Sequence, residues 1–352
     1  MMRNAAGCAA VFLVLAVTLC GCGKFDRSKI KMPKFNFVTS ENVHSVAYAG
    51  ADNVWISGNY GTLCFSSDAG RTWEKQDSGI RDLLLGSITF AGRRSGWASG
   101  VKGTILHTTD GGTTWQPQAS GTEHDLLDLF CLDEHTCWVV GEFGTILHTG
   151  DGGASWAPQI EEQDTIYNDV FFADRRNGWV VGEFGTILHT GDGGASWQPQ
   201  ECSDIVPEVS ATEWERPLPA LYGLFFRDAL QGWIVGMDGV ILRTEDGGKK
   251  WAKLPSPTDK PLYSIMVKGN RGWIVGNKGS YLTSSDGGLT WSEKSGDIKT
   301  KFWLREVAFG NENNGVIVGA MGTIVRTQDG GGTWDIVSGF RYDTEEFGLA
   351  DF

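Results

Sequence analysis

WVVGEFGTILHTGDGGASW occupies residues 138–156 and recurs letter for letter at 179–197, 41 positions further along the chain. Weaker copies of this stretch run through most of the sequence. Its closing tryptophan returns at intervals of 42, 41, 41, 54, 40 and 43 residues, as Trp73, Trp115, Trp156, Trp197, Trp251, Trp291 and Trp334. A repeat of about 40 residues that contains only short strand-like segments is typical of a propeller or a solenoid.

One unit shows what each repeat builds. Residues 85–115 contain short apolar runs (SITF, GWAS and TILHT) separated by glycine-rich turns, and no window holds a long helical period. Such runs predict four antiparallel strands, which we call a, b, c and d in chain order. Seven units predict an all-β fold, a seven-bladed β-propeller of four-stranded antiparallel blades, over residues 41–340.

An aspartate precedes each closing tryptophan by five residues, in a D-x-G-x-T-W pattern or a close variant that resembles the Asp box. The seven aspartates are Asp68, Asp110, Asp151, Asp192, Asp246, Asp286 and Asp329. Their side chains can accept backbone N–H bonds in the turn between strands c and d, and the glycine permits a positive φ there. We therefore interpret the motif as structural, and the repeated stretch as a building unit rather than a duplicated site.

The amino-acid composition and the net charge argue against some classes of protein and of partner. The chain has 352 residues, of which 41% are hydrophobic, 49 are glycine and 15 are tryptophan, which is typical of one large all-β domain rather than of disorder. The formal net charge is -13, and no basic stripe with interleaved aromatic residues is present. These features argue against nucleic-acid binding and favour a cationic partner.

The first residues predict export. Arg3 precedes the apolar run AAVFLVLAVTL, and the sequence LCGC follows at 19–22. A positive start and a short apolar stretch indicate a signal peptide over residues 1–21, too short for a stable membrane span.

Cys22 is predicted to be the lipid anchor. Leu19, Gly21 and Cys22 resemble the bacterial lipobox, in which the cysteine is lipid-modified. The alternative is an ordinary signal peptide with an unrelated cysteine. With the anchor, residues 22–40 form a basic tether beside an anionic membrane surface, and residues 341–352 form a C-terminal tail. The predicted location is extracytoplasmic, on the periplasmic side of a bacterial membrane or in the thylakoid lumen of a photosynthetic organism.

Two cysteines break the repeat pattern at the two ends of one a–b hairpin. Cys131 stands where most repeats have phenylalanine, and Cys137 stands where most have glycine. In an oxidising compartment this pair predicts a disulfide, and the alternative is two small buried thiols. Cys64 and Cys202 have no evident partner.

The connectivity of the blades divides the ring into two faces. The a–b loops and the Asp-box turns share one face, here called the top, and the b–c turns and the d–a linkers share the bottom. The top is repetitive, whereas the bottom linkers vary, with GTEHD at 121–125, IEEQD at 160–164 and a long insertion at 201–220. Variable loops on a rigid scaffold are where binding usually occurs, so the bottom is the predicted functional face.

The bottom face is predicted to be acidic. The carboxylates of the linkers and b–c turns are Glu123, Asp125, Glu142, Glu161, Glu162, Asp164, Glu183, Glu201, Asp204, Glu208, Glu213 and Glu215. The first residues of the inner strands add Asp128, Asp169, Tyr222, Tyr263, Arg305 and Glu306 near the axis. This concentration of charge predicts docking of a basic segment of a protein partner, and the alternative is a solvated rim.

No catalytic, metal or cofactor site is predicted. His107, His148 and His189 hold one position in three successive blades, too far apart to share a metal ion. No phosphate loop, dinucleotide fingerprint or nucleophile elbow occurs. Asp boxes also occur in sialidases, but the Arg-Ile-Pro motif of those enzymes is absent. A secreted, glycan-acting hydrolase of sialidase-like architecture is the alternative function, because paired carboxylates need not form a sequence motif.

Over almost the whole mature chain, repeats of the form GWxVGxxGTILxTxDGGxTW behind an export signal resemble the photosystem II stability/assembly factor family. The resemblance implies a seven-bladed propeller that binds a membrane protein and assists its assembly without catalysis. Photosynthetic members bind a reaction-centre subunit in the lumen. The family's partner site is associated with arginines, for which Arg243, Arg305 and Arg326 are the candidates by position. The acidic bottom face departs from that pattern.

Overall fold

The computed structural model describes residues 38–205 and 218–339, and it contains seven sheets of four strands each. Within each sheet the strands pair antiparallel in chain order, so one repeat forms one blade. The predicted seven-bladed β-propeller is confirmed. Within the described ranges, no helix is long and apolar enough to cross a membrane.

The strands share the same order in every blade. The a strands, nearest the axis, are Val43–Tyr48, Leu85–Ala91, Leu126–Cys131, Tyr167–Phe172, Leu221–Phe226, Leu262–Lys268 and Leu304–Phe309. The b strands are Val54–Gly58, Ser95–Gly100, Cys137–Gly141, Gly178–Gly182, Gly232–Gly236, Arg271–Gly276 and Gly315–Gly319. The c strands are Leu63–Ser66, Thr104–Thr108, Ile146–Thr149, Ile187–Thr190, Ile241–Thr244, Tyr281–Ser284 and Ile324–Thr327. The d strands are Glu74–Gln76, Gln116–Ala119, Ala157–Pro158, Gln198–Pro199, Ala252–Lys253, Ser292–Glu293 and Asp335–Ser338. Short 3-10 turns lie at Asn59–Gly61, Glu142–Gly144, Glu183–Gly185, Ser203–Ile205, Met237–Gly239, Asn277–Gly279 and Ser295–Asp297.

The hydrophobic core lies between the blades. The described residues form seven buried clusters, and each cluster combines side chains of two neighbouring blades. A b-strand tryptophan is buried in six of the seven clusters. Trp179 of blade 4, for example, stacks on Phe226 of blade 5 with ring centroids 3.6 Å apart and donates its indole N–H to Gly247 O. Each repeat therefore completes its core only by packing on the next.

The ring closes without exchanging a strand between the first and last blades. Blades 1 and 7 each consist of four consecutive strands, and Val43 and Ile56 pack against Val318 in one cluster. Hydrogen bonds join these two blades at the bottom and at the axis. Gly322 donates its N–H to Glu41 O, and Val46 donates its N–H to Glu306 Oε2 at 2.8 Å. The first and last blades are therefore joined by the same kinds of contact as the other neighbouring blades.

The Asp-box turns lie on the top face and have the expected turn geometry. In blade 2, Asp110 accepts the backbone N–H of Thr114 at 2.9 Å and its hydroxyl at 2.7 Å. These two hydrogen bonds, with a third from Thr108, lower the pKa of Asp110 to about 2. Gly112, at φ +87°, has no room for a side chain, because a Cβ would lie 2.2 Å from the ring of Trp55. The motif thus fixes a tight turn against the neighbouring blade.

Cys131 and Cys137 face each other across strands a and b of blade 3. Their sulfurs are joined, and their Cα atoms are 4.1 Å apart. Cys64 and Cys202 are free and buried.

Candidate functional site

The bottom face is built by hydrogen bonds between each b–c turn and the neighbouring linker. In blade 3, Glu142 donates its N–H to Asp125 O at 3.0 Å, and Gly144 donates to Thr165 O at 2.8 Å. Gln163 donates to Phe143 O at 3.0 Å. The linkers that carry the predicted acidic residues are therefore held by backbone contacts to a rigid turn.

The predicted acidic residues cluster on the bottom of blades 3 and 4. Glu123, Glu161, Glu162 and Asp164 are exposed, while Asp125, Glu142 and Glu183 are half-buried. Asp125 is partly engaged, since it accepts the N–H of Lys102 at 2.8 Å. Glu201 and Asp204 are exposed at the start of the next linker. Glu208, Glu213 and Glu215 lie outside the described residues, as do Cys22 and the predicted signal, most of the tether and the tail.

One histidine side chain lies close to this acidic cluster. His124 Nε2 lies 3.9 Å from Glu162 Oε1, and the His124 and Phe143 rings contact each other in a tilted arrangement with centroids 4.7 Å apart. No other ion pair of the described residues involves the seven predicted acidic side chains. The cluster is therefore a region of uncompensated negative charge on a rigid face.

At the axis, every a strand carries a β-bulge at the same position. The bulged residues are His44, Gly86, Leu127, Asn168, Tyr222, Tyr263 and Arg305. Tyr222 and Tyr263 meet edge to face with centroids 5.5 Å apart, and the Arg305 guanidinium lies 5.5 Å from the centre of the Tyr263 ring. These three predicted partner-binding residues are thus brought together at the bottom mouth of the channel.

The residue after each bulge forms what we call the axial belt, comprising Ser45, Ser87, Asp128, Asp169, Gly223, Ser264 and Glu306. Each polar member accepts a backbone N–H from the next blade. Asp128 Oδ2 accepts from Val170 at 3.1 Å, and Asp169 Oδ2 accepts from Leu224 at 2.7 Å. In the glycine position of blade 5, a Cβ would lie 2.6 Å from Tyr263 O. The belt therefore ties the seven inner strands together.

Glu306, predicted as a partner-binding residue, is a member of this belt rather than of the surface. It is half-buried, and it accepts the N–H of Val46. Burial, reinforced by the nearby charge of Asp128, raises the pKa of Glu306 to about 7. Burial and Asp128 likewise raise the pKa of Asp169 well above its usual value. The belt carboxylates are thus used to join blades.

The belt separates two cavities along the axis. The lower one, beside Tyr222, Tyr263 and Arg305, has a volume of about 60 Å³, which is far below the roughly 300 Å³ of an ordinary ligand pocket. The upper one has about 370 Å³ and is lined mainly by apolar side chains, among them Phe130 and Phe171. Neither cavity lies on the acidic linkers.

Two of the three arginines that the family resemblance suggested are structural. Arg326 is buried and donates its Nε–H to Ala69 O at 2.9 Å. It thereby replaces the indole donor that blade 7 lacks, because Val316 stands where the other six blades have tryptophan. Arg243 pairs with Glu245 at 2.7 Å and lies over the ring of Trp233. Arg305 is the remaining candidate of the three.

The repeated histidines pack on tryptophan rings. His107, His148 and His189 lie 4.4, 5.0 and 5.0 Å from the ring centres of Trp97, Trp138 and Trp179 respectively. Burial lowers the pKa of each histidine. Within residues 38–205 and 218–339, no group of His, Cys, Asp and Glu side chains could hold a metal ion.

Sequence reasoning missed a set of apolar side chains on the bottom face. The middle residue of each b–c turn has a positive φ between 51° and 56°, and together these residues form what we call the turn ring: Tyr60, Lys102, Phe143, Phe184, Asp238, Lys278 and Met321. Tyr60, Phe143, Phe184 and Met321 are 60%, 50%, 57% and 41% exposed. A left-handed backbone costs a residue other than glycine roughly 1–2 kcal/mol. The available signal was the apolar residue before the repeated glycine in EFG, NYG and AMG.

The model of the family described as photosynthesis system II assembly factor YCF48 matches residues 79–162, 158–254 and 207–300. No curated protein sequence matches the chain.

Several solved structures share the fold. A YCF48 chain bound to D1 peptide is 21% identical, with a TM-score of 0.68, and the match covers 85% of this chain and 96% of that one. YCF48 from Cyanidioschyzon merolae is 18% identical, with a TM-score of 0.67, over 85% of this chain and 98% of that one. The GH74 xyloglucanase from Xanthomonas campestris is 12% identical, with a TM-score of 0.67, over 87% of this chain and 56% of that one. At these identities the structures establish a common fold and no common activity.

Proposed function

Since the chain belongs to the family of the photosynthesis system II assembly factor YCF48, we propose that it is a non-catalytic scaffold that docks a membrane-protein partner. The observation that carries this proposal is the family match, which runs over three overlapping stretches between residues 79 and 300. A YCF48 chain of the same fold was solved with a bound D1 peptide. Presenting rigid loops to a segment of another protein is therefore the activity that the family favours.

The acidic surface of blades 3 and 4 is the proposed docking site. Glu123, Glu161 and Asp164 are exposed, and none of them has an ion-pair partner among the described residues. A basic segment would neutralise this charge and would be steered towards it at low ionic strength. The partner of this chain is thus proposed to present lysine or arginine side chains.

The axial carboxylates support a non-catalytic role. Asp128, Asp169 and Glu306 converge near the axis, as a glycan hydrolase would require, but each accepts a backbone N–H from a neighbouring blade. A carboxylate held in this way contributes to blade packing rather than to a reaction at an open substrate site.

Charge reversal of one linker tests the docking site. Replacing Glu161, Glu162 and Asp164 together by lysine should leave the fold intact, because exposed substitutions usually change the free energy of unfolding by less than about 0.5 kcal/mol each. It should weaken retention of the membrane-protein partner by roughly tenfold or more at low salt, because encounter is electrostatically steered. The measurement is quantitative affinity purification of the tagged full chain from detergent-solubilised membranes of its own organism.

The matched control makes the same charge change on the top face. Asp52, Glu134 and Glu312 are exposed there, and their replacement by lysine should leave the retention of the membrane-protein partner unchanged. Equal retention by the linker variant and the wild type at low ionic strength would show that the acidic surface is only a solvated rim.

We also propose that the protein lies outside the cytoplasm and is attached to a membrane by a lipid anchor on Cys22. The Cys131–Cys137 bond supports an oxidising compartment. We expect Cys22→Ser to abolish labelling by a palmitate analogue and to release the protein from membranes into the soluble fraction. Wild-type protein that is unlabelled and soluble would contradict the anchor while leaving the docking surface standing.

A further inference from the structure

We propose that the turn ring supplies apolar anchors to this docking surface, so that the partner segment is amphipathic, with aliphatic or aromatic side chains between its basic ones. Phe143 and Phe184, on the acidic blades 3 and 4, are the central anchors. This inference rests on the proposed function and deepens it, because it adds hydrophobic recognition to a site that the sequence predicts from charge alone.

The anchors owe their position to the backbone of the b–c turn. Phe143 has φ 53° and ψ 35°, and Phe184 has φ 54° and ψ 36°. Each is followed by a glycine with φ +66° or +68°, so both central residues of the turn are left-handed. This geometry matches the type I′ turn, where asparagine, aspartate or glycine is preferred at the first central position.

A phenylalanine at this position is disfavoured twice. The left-handed backbone penalises its Cβ, and Phe143 and Phe184 are 50% and 57% exposed to solvent. Blade 5 has Asp238 at the equivalent place, which shows that the turn forms with a residue suited to it. Since the turn geometry does not require an aromatic ring here, the strain points to a binding role.

The two faces also differ in how many large apolar side chains they expose. Six large apolar residues are exposed among the described residues, and four of them belong to the turn ring. The other two, Leu230 and Leu289, lie on the top face in an a–b loop and an Asp-box turn. Single exposed apolar residues are common, whereas a repeated set on one face marks an interaction surface.

The charge beside the anchors selects the occupant. Glu142 and Glu183 directly precede Phe143 and Phe184, and neither carboxylate accepts a hydrogen bond or pairs with a cation among the described residues. A peptide segment with a cationic group beside each apolar side chain can pair with the carboxylate and pack on the ring at the same time. An anionic lipid surface would bury the rings but would be repelled by these carboxylates, so a peptide segment is the better fit.

Binding of synthetic peptides to the full chain in mild detergent tests the inference directly. The probe is a fluorescent peptide that alternates arginine with leucine, and the comparison peptides alternate arginine with serine and glutamate with leucine. Fluorescence anisotropy should show binding of the arginine–leucine peptide, with a Kd about tenfold or more below that of either comparison peptide. No saturable binding of the arginine–leucine peptide, or equal binding of the arginine–serine peptide, would overturn the proposal.

Glycine variants separate recognition from folding. The double variant Phe143→Gly and Phe184→Gly should weaken binding of the arginine–leucine peptide about tenfold or more. The melting temperature of the variant should stay equal or rise, because glycine relieves the left-handed strain. The matched control, Leu230→Gly with Leu289→Gly, removes two exposed apolar side chains from the top and should leave the Kd unchanged. A clear fall in melting temperature of the Phe143/Phe184 variant would show that the rings serve the fold and would overturn their role as anchors.

Two further outcomes would assign the rings to another occupant. Co-sedimentation of the wild type with phosphatidylglycerol vesicles that is lost in the glycine variant would identify a membrane-inserting surface. Concentration-dependent dimerisation that is lost in the same variant would identify a second copy of this chain. If the linker charge reversal releases the membrane-protein partner but the glycine variant does not, the proposed function stands and this inference fails.

Discussion

Trp179→Ala is expected to lower the free energy of unfolding by about 3–5 kcal/mol, the range observed for large buried aromatic residues. The side chain is fully buried between blades 4 and 5, and its indole stacks on Phe226 at 3.6 Å. Its N–H donates to Gly247 O at 3.2 Å, so the truncation also removes one of the two hydrogen bonds to that carbonyl, the other coming from Gln200. Urea denaturation followed by tryptophan fluorescence and circular dichroism measures the loss.

Trp197→Ala provides the comparison within the same repeat. Trp197 ends the Asp-box turn of blade 4 and is only half-buried, so its removal should cost clearly less than that of Trp179. A loss below about 1 kcal/mol for Trp179→Ala would contradict the account of the blade interface, because a side chain in a well-packed core cannot be removed at so small a cost.

Glu306→Gln is expected to stabilise the protein at pH 8, by on the order of 3 kcal/mol. The pKa of Glu306 is raised from 4.5 to about 7, first by burial. Between these two values the unfolded chain loses the proton and the folded chain keeps it, so rising pH lowers the free energy of unfolding of the wild type. Glutamine stays neutral and can still accept the N–H of Val46, so the variant avoids this loss.

The difference between wild type and variant has to be measured, not the wild-type profile alone. Burial, and to a smaller extent Arg305, lowers the pKa of His44 from 6.5 to about 4. The contribution of His44 to the free energy of unfolding therefore rises with pH over nearly the same pH range in which the contribution of Glu306 falls. The His44 contribution is common to both proteins and cancels in the difference. We expect a difference near zero at pH 4.5 that grows to its full value by pH 8. A difference that is independent of pH, or a variant that is less stable at pH 8, would show that Glu306 is ionised without penalty in the belt.

The sequence was sufficient for the fold because the repeat carries its own structural signals. A closing tryptophan and an aspartate five residues before it mark each blade, and a leading tryptophan marks six of the seven. The closing tryptophans are 40 to 43 residues apart except at the 201–220 insertion. The family resemblance rested on the same repeats and is confirmed by the family match. The turns depend on residues that are neighbours in sequence, and the number of blades equals the number of repeats, so both can be determined from the sequence.

The candidate site was predictable only in part. The acidic linkers could be counted, but the role of Glu306 depends on Val46, 260 positions away, and that of Arg326 depends on Ala69, 257 positions away. The exposure of Phe143 could not be inferred from EFG alone, because it follows from the left-handed turn that turns the ring outward on the bottom. Charge therefore indicates the face that we propose for docking, whereas the apolar anchors required the backbone geometry.

Site-specific photo-crosslinking in living cells tests whether the bottom face docks a membrane-protein partner. Benzoylphenylalanine is introduced at Phe143 or Glu161 on the bottom, and at the equally exposed Leu230 or Leu289 on the top. We expect both bottom positions to yield an adduct with the same membrane protein and the top positions to yield none. Adducts of equal yield from both faces, or none from the bottom positions, would contradict docking by the bottom face.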